Sequence, residues 1–364
     1  MAAARMRVAV LGAGPVGRAT AAYVAHQGHV AGIWSPSGKG TASLREGARA
    51  PGKAAIESRG AIDGRVEVHV LRSPEALAAY EIVVLALPGD AYGKVLPQVL
   101  PHIESRHIVI VSGALSLVPL WIHEQAGGGS TRPVVASWGT TLATARRSEE
   151  ADVEIGTIRA RFDVAAIPNS AADAALACCQ ALFGDRFDRT ESILATAISN
   201  VNPVAHAAEA LPNLTRMERG EPWYLFECMT PAAARVAEAI DRERLAIAQA
   251  FGLSVRSLAT HYHLSYHVPL GSVAEMAAAI HARDRAPRGP RTAEHRYILE
   301  DIPYGLVFYE MLARTAGVAV PVMSAAITFA CAAYGRDFRR ENVLIEGLGL
   351  EGLAPAALLA RCAG

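Results

Sequence analysis

The sequence predicts an α/β fold, a doubly wound parallel sheet followed by a mostly α-helical domain. Three observations predict it. A strand, a glycine turn and a helix follow one another within residues 7–27; short β-branched runs then recur as far as residue 167; and from about Ala171 alanine-rich segments of helical period take over. At 364 residues the chain has length for two domains, each with its own core, expected at 1–190 and 191–364.

Arg7 to Leu11 reads as a short buried strand, Gly12 to Gly17 as a turn, Pro15 to Gln27 as a helix and His29 to Trp34 as the second strand. Further strands are expected at Val66–Leu71, Ile82–Leu87, His107–Val111, Pro133–Ser137, Val153–Arg161 and Asp163–Ile167, after which strand signals almost vanish. Helical periodicity then marks Ala171–Phe183, Pro203–Leu211, Pro231–Phe251 and Ile302–Ala316. The third of these has full punctuation: Thr230 as N-cap, Pro231 in the first turn and Gly252 as terminator. Ala282–Glu294 is rich in arginine and proline with no apolar face. It reads as a loop, either an ordinary surface connection or a mobile lid.

Composition narrows the partners. With 51% hydrophobic residues, 19% charged residues and zero formal net charge, nothing points to nucleic acid, an anionic membrane surface or disorder. The expected partner is a small molecule, and a homodimer is the assembly to look for. Five cysteines without metal-site spacing or disulfide density fit a reducing cytoplasm, and no metal site is expected. The start is no signal-peptide core, and no apolar run reaches the roughly 18 residues of a membrane span. The lysines are Lys39, Lys53 and Lys94, so a lysine acid or base in the second half is excluded.

Gly12, Gly14 and Gly17 have dinucleotide-fold spacing between a strand and a helix. The first permits the tight turn, the second lets backbone amides reach a pyrophosphate, and the third allows close helix packing. With Pro15 and Val16 they form the expected cofactor site of a Rossmann-type domain. No acidic residue follows the second strand to grip a ribose 2′-hydroxyl. Ser35 and Ser37, with Lys39 nearby, favour NADP(H) over NAD(H), although both serines could instead satisfy the turn backbone. Pro88, in the Leu85–Gly89 stretch, and Ser112–Gly113 follow the fourth and fifth expected strands, whose carboxyl ends line such a crevice.

Asn202 and Pro203 read as a helix start with His206 one turn inside. Asn202 either caps that helix alone or also faces substrate. Asp301 either caps the helix that follows it or holds an imidazole, fixing its tautomer and favouring its protonated form. Arg296, in a segment that could bring it into the same pocket, suits a substrate carboxylate, and Arg146 is a second candidate. Trp223, Tyr224 and Phe226 read as core rather than as a substrate wall.

These stretches resemble the opine dehydrogenases of the octopine and nopaline type. The resemblance rests on Gly12–Gly17, Asn200–His206, Phe226–Pro231, Asp241–Arg244 and above all Arg296–Val307. It implies a Rossmann domain joined to a helical opine-dehydrogenase domain, with His206 and Asp301 as a catalytic dyad and Arg296 and Asn202 touching substrate. It implies condensation of an amino acid or other primary amine with an α-keto acid such as pyruvate, followed by imine reduction by NAD(P)H. It also implies an acidic residue about where Ser324 falls. The alternatives are a simple 2-keto or 2-hydroxy acid reductase, a cyclic imine reductase, and a non-catalytic nucleotide-binding protein. Ketopantoate reductases use a second-domain lysine, which this chain lacks.

Overall fold

The computed structural model describes residues 5–47, 52–126, 132–148, 150–283 and 287–364. Its chain divides into two units. The first comprises Met1–Leu87, Ala91–Ala197 and Cys362–Gly364, and the second Pro88–Asp90 and Ile198–Arg361.

The first unit is built on one sheet of eleven strands. In chain order these are β1 (Arg7–Leu11), β2 (Val30–Trp34), β3 (Lys53–Gly60), β4 (Gly64–Val70), β5 (Ile82–Leu85), β6 (Ile108–Val111), β7 (Val134–Trp138), β8 (Ala143–Arg146), β9 (Val153–Ile158), β10 (Phe162–Ile167) and β11 (Phe187–Arg189). Their spatial order is β11-β10-β7-β6-β5-β1-β2-β4-β3-β9-β8. β1 lies between β2 and β5, all three parallel, and the strand order reverses there, at the position where open sheets of this class bind their ligand. The central strands are continuous apolar runs because both faces are covered, as in Val8–Leu11 and Ile82–Leu85, all buried.

The sheet is more mixed than expected. Pairs β3/β4, β8/β9 and β7/β10 are antiparallel. β3, β8 and β11 give little sequence signal: β3 carries Glu57, Ser58, Arg59 and Gly60, and β11 is only three residues long. Their pairing comes from neighbouring strands rather than local propensity.

The second unit is helical. Its longest helix, Pro231–Ala250, has the predicted punctuation, with Thr230 accepting from the Ala233 amide and Gly252 in the left-handed region at φ 71°. Within it Arg244 is wholly buried and makes four hydrogen bonds. It meets Asp241 through Nε at 2.9 Å and Nη2 at 2.7 Å, and donates to the carbonyls of Ile198 at 2.7 Å and Arg256 at 2.6 Å. The other oxygen of Asp241 accepts from the Leu258 amide at 2.8 Å. A buried ion pair survives when most of its polar atoms find partners, and here four of the five guanidinium N–H groups do.

The expected loop Ala282–Glu294 is pinned where it is described. Pro287 O accepts from Leu225 N, Gly289 N donates to Trp223 O, Trp223 Nε1 donates to Pro290 O and Tyr334 Oη donates to Ala293 O. Gly289 is required because a Cβ would stand 2.1 Å from the Trp223 ring. Residues 284–286 of that loop lie outside the described residues. Among the described residues no helix is long and apolar enough to cross a membrane.

Candidate active site

In the first unit the glycine turn has the geometry of a phosphate cradle. Gly12 has φ +114°, and a Cβ there would stand 2.2 Å from the Ala86 carbonyl oxygen. A Cβ on Gly17 would stand 1.8 Å from the Gly12 oxygen, so helix and turn pack backbone on backbone. Gly14 meets nothing within 4 Å and offers open approach. The helix Pro15–His26 that follows has no side-chain cap and no acid in its first turn, so its positive end is uncompensated. The chain fits the pyrophosphate of a dinucleotide at this turn, with Pro15 and Val16 opening the helix.

Ser35 and Ser37 are committed locally. Ser35 is buried and its Oγ accepts from Gly40 N at 3.2 Å, while Ser37 Oγ accepts from Lys39 N at 3.3 Å. Both therefore serve the turn backbone as acceptors, and each keeps an O–H to donate. Two cations stand beside them: Lys39 is exposed, and Arg45 Nη1 comes within 3.5 Å of where a Cβ on Gly38 would be. Arg45 was not legible in the sequence because it lies ten residues beyond Ser35, on the short helix Ala42–Glu46. Pro88 leaves the end of β5 with Gly89 and Asp90 and is counted in the helical unit.

In the second unit His206 and Asp301, ninety-five residues apart, meet at 2.7 Å between Nδ1 and Oδ2. Helix Asn202–Ala210 carries the histidine, and Asp301 precedes a π-helical turn, Ile302–Leu306. Two contacts hold these elements together. Pro203 packs where Gly305 has no side chain, a Cβ there standing 2.2 Å from Pro203 Cγ, and Tyr309 Oη donates to Asn200 O at 2.6 Å. Asn342 Nδ2 donates to Pro303 O at 2.9 Å, satisfying a carbonyl of the widened turn. Asp301 makes no capping bond; its carboxylate is directed to the imidazole.

With Nδ1–H donating to Asp301, the His206 Nε2 is left as an acceptor. Asp301 favours the imidazolium, as expected, yet the net shift runs the other way. Burial, the larger effect, pulls the pKa of His206 below 6.5, and the opposing attraction of Asp301 does not overcome it. The ring is also stacked on Tyr297, centroids 3.6 Å apart and planes 15° from parallel. Nothing local in the sequence marks Tyr297 for this contact, because a tyrosine beside an arginine carries no motif.

Asn202 is the first residue of its helix rather than its cap, its amide N–H donating to Asn200 Oδ1 at 3.1 Å. Its side-chain amide has no partner among the described residues and lies one turn before His206 on the same helix face. Arg296 pairs with Glu300, not with Asp301. Its Nε donates to Oε2 at 2.8 Å, while its terminal Nη groups make no hydrogen bond among the described residues. Glu300 is buried and also accepts from Gly89 N at 3.2 Å. Burial pushes its pKa up to about 7, against the attraction of Arg296. Gly89 has no room for a side chain, the Tyr304 ring standing 2.7 Å from where a Cβ would be.

Arg146 is spoken for. On β8 its Nε and Nη2 grip Glu154 of β9 at 3.0 and 2.6 Å, an exposed cross-strand pair. Ser324, where the resemblance implied an acid, donates to Glu310 Oε1 at 2.7 Å, and Arg339 grips the same carboxylate at 2.7 and 2.8 Å. An acid does stand beside Ser324, on the neighbouring helix Val307–Ala316. Trp223 and Phe226 are buried core, while Tyr224 is partly exposed beneath Arg288. One more buried acid stands near: Glu209, on the His206 helix and beside the Tyr262 hydroxyl, is pushed well above the usual carboxylate range by burial.

Residues 189–334 match the α-helical domain of the NAD/NADP octopine/nopaline dehydrogenases, and residues 7–114 match the coenzyme F420-dependent NADP oxidoreductases. An opine dehydrogenase of Arthrobacter sp. (strain 1C) is 28% identical over 359 residues, covering 96% of this chain and 97% of that protein. Octopine dehydrogenase solved with NADH and L-arginine has a TM-score of 0.75 at 17% identity, over 99% of this chain and 98% of the other. Yersinopine dehydrogenase solved with NADP+ has a TM-score of 0.67 at 18% identity, over 99% and 97%. These two structures share the fold; the sequence likeness to the opine dehydrogenases runs almost end to end.

Proposed function

We infer that the chain is an NAD(P)H-dependent oxidoreductase of the opine dehydrogenase type. It condenses an amino acid, or another primary amine, with an α-keto acid such as pyruvate and reduces the imine to a secondary amine bearing carboxylates. The observation that carries the assignment of residues is the 2.7 Å contact of His206 with Asp301, leaving Nε2 free. NAD(P)H supplies the hydride that saturates the imine carbon.

The amine arrives as an ammonium ion and cannot attack a carbonyl until it loses a proton. A histidine held neutral by burial is suited to remove it, since Nε2 accepts the proton while Asp301 stabilises the imidazolium that forms. Attack on the keto carbon gives a carbinolamine, with one N–H proton passing to its oxygen. The imidazolium then returns its proton to that hydroxyl, which leaves as water. Ammonium and ketone have become iminium and water, and His206 is neutral again. The terminal Nη edge of Arg296 grips the keto-acid carboxylate, and the Asn202 amide supplies a further polar contact beside Nε2. Arg146 takes no part, its fork being filled by Glu154.

Lys39 and Arg45, flanking a second-strand end without an acid, support NADP(H) over NAD(H). Five cysteines, none joined in a disulfide among the described residues, support a reducing cytoplasm.

The test is NADPH and NADH consumption with pyruvate, glyoxylate or 2-oxoglutarate, alone and with a panel of amino acids and amines. A product whose mass equals both reactants minus one oxygen is expected. Turnover with keto acid alone, unchanged by any amine, overturns the reading.

A further inference from the structure

Across the carboxyl ends of β1, β5, β6 and β7, the ladder partners Leu11, Leu85, Val111 and Ser137 stand in register. The residues just beyond them therefore form a row: Gly12, Ala86, Ser112 and Trp138. Backbone bonds hold it, from Ala86 N to Leu11 O at 2.8 Å, Ser112 N to Leu85 O at 3.0 Å and Ala114 N to Trp138 O at 2.8 Å. Gly113, at φ +72°, turns against Thr140 and Thr141; a Cβ on it would stand 3.6 Å from the Thr140 carbonyl carbon. So Ser112 and Thr140 flank one packing contact at the end of the row.

Both hydroxyls are buried, the residues 8% and 6% exposed, and neither Ser112 Oγ nor Thr140 Oγ1 has a hydrogen-bond partner. Among the described residues of this unit they are the buried side-chain polar atoms in that condition. Buried polar groups are almost always paired, so two orphans on adjoining segments point to an absent partner. The following turn is strained as well, Ser116 and Leu117 both lying in the left-handed region at φ 52° and 59°.

Strands stand about 4.8 Å apart, which puts Ser112 about 10 Å along the row from the phosphate-cradling Gly12. The two halves of a dinucleotide run in opposite directions from its pyrophosphate. The adenosine half belongs over β2, where Lys39 and Arg45 stand, so the nicotinamide half runs toward β5 and β6. A primary carboxamide brings N–H donors and a carbonyl acceptor, and a hydroxyl can answer either. We propose that Ser112 and Thr140 hold the nicotinamide carboxamide and so fix the rotation and exposed face of the pyridine ring. This rests on the reading that the chain binds NAD(P)H.

The test compares Ser112→Ala and Thr140→Val in the full chain, using calorimetric Kd values for NADPH and NADH and for 2′-phospho-ADP-ribose and ADP-ribose, which lack nicotinamide. Each variant is expected to weaken the dinucleotides about 10-fold, the loss of one buried hydrogen bond, and to leave the ADP-ribose ligands within about two-fold. Removing an orphan hydroxyl is also expected to raise the Tm of the ligand-free protein by about 2 to 4 °C. Unchanged dinucleotide affinity, equal weakening of both ligand classes or a lowered ligand-free Tm overturns the proposal. Failure of the unaltered protein to bind either ligand class overturns the cofactor reading beneath it.

Discussion

The imidazole of His206 and the phenol of Tyr297 lie face to face, centroids 3.6 Å apart and planes inclined by 15°. With Asp301 fixing Nδ1, the stack removes the ring's remaining freedom to tilt, and catalytic geometry is sensitive to small misplacements. Tyr297→Phe keeps the ring and is expected to retain kcat within about two-fold. Tyr297→Leu is expected to lower kcat by about 10- to 100-fold with the dinucleotide Kd unchanged. Steady-state kinetics with titration of NADPH fluorescence checks both, and equal activity of the two variants would remove any role for the stack.

Asp301→Asn keeps the size of the side chain and removes the charge that holds Nδ1–H. The expected loss in kcat is about 10²- to 10⁴-fold, the range spanned by general acid–base assistance, with folding and cofactor affinity retained. A variant within three-fold of the parent enzyme would show that the pair is only structural.

The pH dependence has a definite sign. Burial holds the pKa of His206 below 6.5, so the ring remains a base as pH falls to that value. In the condensing direction the acid-side fall in kcat, as His206 becomes protonated and can no longer take the ammonium proton, is therefore expected below the ordinary imidazole value of 6.5. A decline setting in above pH 7, absent in a control buffer series, would contradict it.

Gly305→Ala drives a methyl group into Pro203, 2.2 Å from Cγ and 2.4 Å from Cβ. Overpacking of this kind costs about 1 to 3 kcal/mol and here also pushes the histidine helix from the turn that follows Asp301. Urea unfolding should show the loss, and Pro203→Ala in the same chain should restore part of both stability and kcat. Additive effects of the two substitutions would mean that they do not meet.

Arg45→Ala is expected to raise KM for NADPH by about ten-fold while moving KM for NADH by less than two-fold, since only the former carries a 2′-phosphate for a guanidinium to grip. Parallel changes with both cofactors would assign Arg45 to folding.

What the sequence disclosed follows from how local each signal is. The glycine turn is self-contained, since three glycines within six residues dictate its backbone, and the positive φ of Gly12 and the close packing of Gly17 follow. His206 and Asp301 could be paired beforehand because the Arg296–Val307 block resembles a known one; no local rule places residues ninety-five apart at 2.7 Å. Asn202 misled as an N-cap because Asn200, two residues earlier, supplies the accepting oxygen. Arg146 misled because nothing at its own position foretells Glu154 across the β8/β9 turn. Strand β3 went unseen because Glu57, Ser58 and Arg59 have the composition of a loop, and pairing with β4 and β9 decides the outcome.

The eleven-stranded sheet also ends well. Its outermost strands, β11 and β8, have three and four residues, and Arg146 on β8 projects a charge already balanced by Glu154. Short, charged borders offer almost no template for a foreign chain to add itself by backbone pairing. A concentrated stock of this protein should accordingly resist fibril seeding, and whatever association it shows should leave the cross-β dye signal flat.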